Sequence, residues 1–178
     1  MKNFLKVLMI SLTFFVVNTS EVKAAEMYDV IFNEISLYNR NAQESSWIAA
    51  AILYASDTYE VDPILITAVM EAESRFNVKA ISPVGAIGLM QLMPETAQMI
   101  GVNPYNVLEN ILGGTLYLKN QLNRFANYGR YSVTDAVAAY NAGAQAVINA
   151  GGVPNYYETR QYVINVAKNY KNLHEKIS

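Results

Sequence analysis

The chain contains no cysteine, which excludes disulfides, thiolate nucleophiles, zinc–thiolate centres and a lipid-bearing N-terminal cysteine. Its one histidine, His174, sits in a polar C-terminal tail. It reads as solvated, so histidine metal centres and Ser/His/Asp relays are disfavoured, and no metal or cofactor is expected. Basic residues are scattered and number 13 against 15 acidic. With no basic run to neutralise phosphates, nucleic acid is not expected as a partner. Sustained apolar–polar alternation is also missing outside one short turn, and there are no repeats or low-complexity tracts, which argues against a strand-rich or solenoid architecture.

Present at the N-terminus is a positively charged start, Met1 to Lys6, then an apolar run from Val7 to Val17 and small residues at Ala24-Ala25. This is the pattern of a secretory signal peptide over residues 1–24. The run is short for a membrane span, and an uncleaved anchor is the alternative. Cleavage after Ala24 leaves 154 residues with 10 basic and 14 acidic side chains, a net charge of −4. One exported domain follows, in the periplasm, cell wall or extracellular space, with no stable membrane span after cleavage. Residues 25–46 read as a lead-in helix or linker, and residues 47–175 as the main domain. Ser45 or Ser46 is the expected cap of a helix carrying Trp47, the only tryptophan, as a core anchor. The 13 tyrosines read as core-edge residues, some of which can stack on sugar rings.

The informative stretch is Asp62 to Pro94. Asp62-Pro63 starts a helix, Asp capping free N–H groups and Pro occupying the first turn. At 100° per residue, Leu65, Ala68, Val69, Ala72 and Phe76 form a core stripe. Glu71 points away from it. Glu73 lies at its edge near the helix C-terminus, where an apolar wall and unpaired carbonyls disfavour a carboxylate and raise its pKa. A general acid at neutral pH needs such a group. The run Ser82-Pro83-Val84-Gly85-Ala86-Ile87-Gly88-Leu89-Met90-Gln91 reads as a turn with short extended pieces, its glycines permitting positive φ and close approach to a ligand. Asn106 with Glu109 marks a capping box for a helix from Val107 to about Ala126. Gly113-Gly114 inside that helix costs about 1 kcal/mol per glycine relative to alanine, which implies close packing or approach to the turn. The Asn141-Ala142-Gly143 stop and a final helix around Tyr162, Val166 and Tyr170 complete the chain.

Glu73-Ser74-Arg75-Phe76-Asn77, then Ser82 to Pro94, then Ala139-Tyr140-Asn141-Ala142-Gly143 and Glu158-Thr159-Arg160-Gln161-Tyr162-Val163 resemble, in order, the motifs of the soluble lytic transglycosylase (SLT) catalytic domain of the lysozyme-like superfamily. The resemblance covers about Trp47 to Leu173. One departure is visible: the family has a proline shortly before its Glu-Thr pair, whereas Asn155-Tyr156-Tyr157 stands here with Pro154 earlier. The resemblance implies a mainly α, lysozyme-like α+β fold with a small β element at the active-site cleft. It implies Glu73 as catalytic acid, and Ser82, Gly88, Gln91, Met93, Tyr140, Asn141, Glu158 and Tyr162 around the substrate. The substrate it implies is the glycan strand of peptidoglycan, cleaved without water at the MurNAc-β-1,4-GlcNAc bond to leave 1,6-anhydro-MurNAc ends.

Residue chemistry points the same way. Hydrolysis needs a second carboxyl group, and Glu71 faces away while Glu95 and Glu158 sit near helix starts that favour their ionised form. Attack by the sugar's own C6 hydroxyl needs one carboxyl alone. A hydrolytic muramidase on the same fold and a silent glycan-binding assembly factor are the competing readings, the first told apart by its product ends. A monomer is expected, and wall turnover, envelope secretion or conjugation machinery, spore or division events and a phage-like programme all stay open as its setting.

Overall fold

A computed structural model describes residues 19–177 of the chain. The leader expected at residues 1–24 lies for the most part outside them, and its expected cleavage point after Ala24 falls within the first described helix. The described residues form α1 (Thr19–Tyr38), α2 (Ala42–Tyr59), α3 (Pro63–Ser74), α4 (Pro94–Ile100), α5 (Val107–Phe125), α6 (Ser132–Ala142), α7 (Ala144–Ala150) and α8 (Tyr157–His174). None of these helices is long and apolar enough to cross a membrane.

α3 is the axis. The Asp62 Oδ1 accepts from the Ile64 N–H at 2.8 Å, Pro63 fills the first turn, and Arg75 ends the helix in the left-handed region. Its composition is apolar enough that Ile64 through Met70 are all buried, so the expected single stripe is in fact a helix covered on all sides. α8 and α2 pack against it, α5 packs on α2 and α6, and α6 bridges to α7 and α8. α1 contributes Val30, Ile31 and Ile35 to the same core. Complete burial of an isoleucine contributes about 1.5–3 kcal/mol, so α1 is part of the packed body, and the boundary expected at Trp47 falls inside α2. Two local expectations change here. Asn41, not Ser45 or Ser46, caps α2, accepting from Gln43 and Glu44, and Ser45 is buried. Trp47 is 44% exposed rather than a core anchor, because the buried face runs through Ile48, Ile52 and Ala55 and leaves it at the margin.

Between α3 and α4 the chain makes the expected turn, but the small β element is reduced to two isolated antiparallel bridges, Ile81 to Ile87 and Ile87 to Leu92. No strand occurs among the described residues. The backbone gives the reason: Gly85, Gly88 and Gln91 have φ of 91°, 76° and 46°, and a left-handed residue every few positions ends each ladder after one pair. The turn is held instead by side chains. The buried Asn110 of α5 accepts from the Met90 N–H at 2.8 Å and donates to the Ile87 and Pro104 carbonyls at 2.8 and 3.0 Å. Its neighbour on the same face, Gly114, lies where any Cβ would collide with Met90, which explains the helix-weakening glycine as a close approach of α5 to the turn.

Candidate active site

Glu73 projects from the last turn of α3 into an open cleft of about 570 Å³. Ser82, Gln91 and Met93 of the turn line this cleft, as do Tyr140 and Asn141 of α6 and Glu158 and Tyr162 of α8. Burial raises the Glu73 carboxyl to a pKa of about 7, the Tyr162 hydroxyl pulls it back in part, and the charge of Glu158 pushes it further up. That hydroxyl is buried without a well-formed hydrogen bond, and faces Glu73 closely enough to favour its charged form. Tyr140 is tied down differently: its hydroxyl donates to the Met90 carbonyl at 2.8 Å, and its ring leans on Tyr117 with centroids 5.2 Å apart. Burial, with the nearby Glu73 charge second, pushes its pKa well above the usual phenol value, so it acts here as a neutral hydroxyl.

The elements around Glu73 are linked to one another by polar side chains. Ser74 Oγ donates to the Leu89 carbonyl at 2.8 Å, joining α3 to the turn. The Gln91 amide donates to the Gly88 carbonyl at 2.9 Å, so its NH₂ group is committed to the turn, and Ser82 Oγ accepts from the Ala86 N–H at 2.9 Å. Thr159 Oγ1 donates to Asn141 Oδ1 at 2.8 Å, clamping the end of α6 to the start of α8. These bonds fix the elements that surround the Glu73 carboxyl.

Gly88 is the one predicted contact that the cleft does not include. A Cβ there would meet the Asn110 side chain at 2.6–3.0 Å, so its missing side chain makes room for the strut behind the turn rather than for a ligand. Gly88→Val is accordingly expected to destabilise the fold by roughly 2–6 kcal/mol, from a β-branched residue at positive φ plus overpacking, as read by urea unfolding; wild-type stability with lost activity would put it back in the cleft.

Glu71 is half-buried on another side of α3, where it accepts from the Tyr38 hydroxyl at 2.7 Å. That bond raises Tyr38 to about 12, and burial raises Glu71. Glu71→Gln is expected to leave turnover within about twofold of wild type, as for a change that touches no substrate; a loss as deep as that of Glu73→Gln would make it a second catalytic carboxyl. A separate apolar cavity of about 410 Å³ lies at the far end of α3. Its two carboxyls are engaged elsewhere: Asp62 caps the helix and accepts from Tyr170, and Glu60 pairs with Lys119 at 3.7 Å.

Sequence reasoning missed Tyr157, Gln161 and Asn165, which also line the cleft. The signal was available in part: Glu158, Gln161, Tyr162 and Asn165 follow the i, i+3, i+4, i+7 spacing of one helix face.

The family model "Transglycosylase SLT domain" matches residues 50–163. A transglycosylase of Enterobacteria phage PRD1 is 40% identical over 116 residues, covering 65% of this chain and 40% of the relative. The membrane-bound lytic murein transglycosylase C of Actinobacillus pleuropneumoniae serotype 5b is 37% identical over 116 residues, covering 55% of this chain and 31% of that one. The chain thus spans well under half the length of these relatives. Among solved structures, the 70-kDa soluble lytic transglycosylase of Escherichia coli superposes with a TM-score of 0.61 at 25% identity, covering 86% of this chain and 30% of that one. An inactive variant of lytic transglycosylase Slt from Pseudomonas aeruginosa gives 0.59 at 30% identity, covering 71% and 24%. With the family model extending over more than half of its length and the mainly helical lysozyme-like fold shared with these structures, the chain belongs to the SLT transglycosylase domain family.

Proposed function

We propose that the chain is a peptidoglycan lytic transglycosylase in which Glu73 acts alone, first as acid and then as base. Glu73 donates its proton to the glycosidic oxygen of the MurNAc-β-1,4-GlcNAc bond, and the GlcNAc chain leaves with a free C4 hydroxyl. The C6 hydroxyl of the muramyl ring attacks the anomeric carbon from within the same sugar, and its proton returns to the Glu73 carboxylate. No water is consumed and the enzyme is regenerated in its protonated form. Intramolecular attack avoids the entropy of recruiting a second reactant.

The observation that carries this reading is the place of Glu73 in the cleft wall, where burial raises its carboxyl to a pKa of about 7, while the other carboxyl of the cleft, Glu158, is exposed in the first turn of α8. The ligand shell proposed for Ser82, Gln91, Met93, Tyr140, Asn141 and Tyr162 leaves Glu158 a binding role. Export by cleavage of residues 1–24 belongs to the same proposal. Mass spectrometry of digested peptidoglycan tests it: anhydro-muramyl ends are expected. Reducing ends, lost on Glu158→Gln, would instead assign a muramidase using two carboxyl groups. Binding to glycan with no cleavage would assign the assembly-factor reading.

A further inference from the structure

Trp47, the only tryptophan of the chain, stands 44% exposed at the start of α2, where it borders an open hollow of about 370 Å³. The other walls are Asn41, Gln43 and Glu44 at the same helix start, Val78 from the segment after α3, and Val107 at the first position of α5. None of the six lines the catalytic cleft. The two valines are partly buried and pack on the main core, so the hollow has an apolar floor and a polar rim. A large aromatic ring dominates the energetics of whatever covers it.

The polar groups of the rim are fixed in place without being used up. Asn41 Oδ1 accepts from the Gln43 and Glu44 N–H groups at 3.1 and 3.2 Å, and the Asn41 N–H donates to Asn39 Oδ1 at 2.9 Å. Its side-chain NH₂ has no partner among the described residues, and neither has the amide of Gln43 or the indole N–H of Trp47. Glu44 accepts from the Asn39 side chain with one oxygen and keeps the other open. Behind them the frame is rigid: Ile48 is fully buried, and Ser46 shares a hydrogen bond of 2.8 Å with the Tyr28 hydroxyl, tying α2 to α1. A platform held in this way loses little entropy when a ligand lands on it.

We propose that this hollow is a non-catalytic glycan site, in which the Trp47 indole takes the C–H face of an N-acetylhexosamine ring while Asn41, Gln43 and Glu44 pair with its hydroxyl and acetamido groups. A pyranose presents C–H groups on its faces and hydroxyls around its edge, which an aromatic plane ringed by planar amides and a carboxylate answers with donors and acceptors both. Val78 and Val107 suit the acetamido methyl. An anion would meet Glu44 with no cation in the lining to offset it. A purely apolar segment would cover the free amide and indole donors without pairing them. The choice of peptidoglycan as the source of the ring rests on the reading of the cleft as a glycan-cleaving one. The effect of the site is retention: with one unit on Trp47 and a strand in the cleft, the domain meets the wall at two points and leaves it more slowly than either contact alone allows.

Because the chain has one tryptophan, its fluorescence reports on the hollow directly. The Glu73→Gln protein, which should bind glycan without cutting it, is titrated with a soluble GlcNAc tetramer and, separately, pelleted with purified peptidoglycan sacculi. Emission is expected to shift to the blue and saturate, with a midpoint on the order of 1 mM that salt leaves unchanged, since the ligand is neutral. Gln43→Ala, a change at an exposed position, should raise that midpoint about threefold, as for one lost hydrogen bond. Trp47→Ala should lower retention on sacculi about tenfold through loss of the second contact. The absence of a saturable change, a midpoint that is the same in Gln43→Ala, or equal retention without the indole overturns the inference, as does a shift produced by an apolar peptide and not by glycan. Neither readout needs cleavage, so reducing ends from the wild-type enzyme would overturn the cleavage reading and leave this site standing.

Discussion

Glu73→Gln is expected to lose at least about 10⁴-fold in cleavage, the top of the range for removing general acid–base help, because in the proposed mechanism one carboxyl performs both proton transfers. Glutamine keeps the shape and the hydrogen bonding, so glycan binding should survive. Folding stability should move the other way. Glu73 has a pKa of about 7 in the fold against 4.5 for the ordinary group. Between these values the folded state holds a proton that the unfolded chain has released, so stability falls as pH rises through that window. Below 4.5 the group costs nothing; above 7 its full cost is present, up to about 3 kcal/mol at 1.36 kcal/mol per pKa unit. Glutamine never ionises, so the variant should equal wild type in stability near pH 4 and exceed it at pH 8. The same titration should appear in catalysis as a fall in wild-type kcat/KM above about pH 7, where the acid is lost. A variant no more stable than wild type at pH 8 would mean that the carboxyl is solvated.

Asn110→Ala should be nearly as damaging, by a different route. It would orphan the buried Met90 N–H and the Pro104 carbonyl, while the Ile87 carbonyl loses one bond and keeps that from the Leu92 N–H, at about 1–3 kcal/mol for each buried group left unpaired. Unfolding free energy is therefore expected to drop by about 2–6 kcal/mol. Activity should fall as well, since Met90 is also the residue whose carbonyl holds Tyr140 in the cleft. A double-mutant cycle with Gly88→Ala isolates the contact. In the wild-type background the new Cβ strikes Asn110; with alanine at 110 that clash is gone and only the strain of positive φ persists. The two changes should thus be non-additive by about 1 kcal/mol or more, as for residues in direct contact. Strict additivity would mean that Asn110 does not fill the space behind Gly88.

Much of the frame was legible because its signals are local. Asp62-Pro63 announces the start of α3, and Asn106 accepts from the Glu109 N–H as a cap should. The Glu109 side chain, however, reaches the Asn103 N–H instead of closing the box on Asn106, since the preceding turn brings Asn103 nearer. That Glu73 and Glu71 leave α3 on different sides was readable from helical phase alone. What could not be read depends on partners distant in sequence. Asn110 looks like an ordinary polar residue on a helix until the turn twenty residues earlier folds onto it. The turn was expected to form β structure because its apolar residues suggest extension, yet the left-handed conformation at Gln91 has no marker in a residue that rarely adopts it. Gly88 was expected at the ligand for a reason that holds for any turn glycine, and only the position of α5 reveals that the space is taken.

The most direct measurement is the isotopic content of the new muramyl ends after digestion of peptidoglycan in ¹⁸O-labelled water. If the C6 hydroxyl is the nucleophile and Glu73 its only proton partner, every new end is 1,6-anhydro-MurNAc and carries no solvent oxygen. Label at the anomeric position of reducing ends would contradict this, making water the nucleophile and requiring a second carboxyl group to activate it.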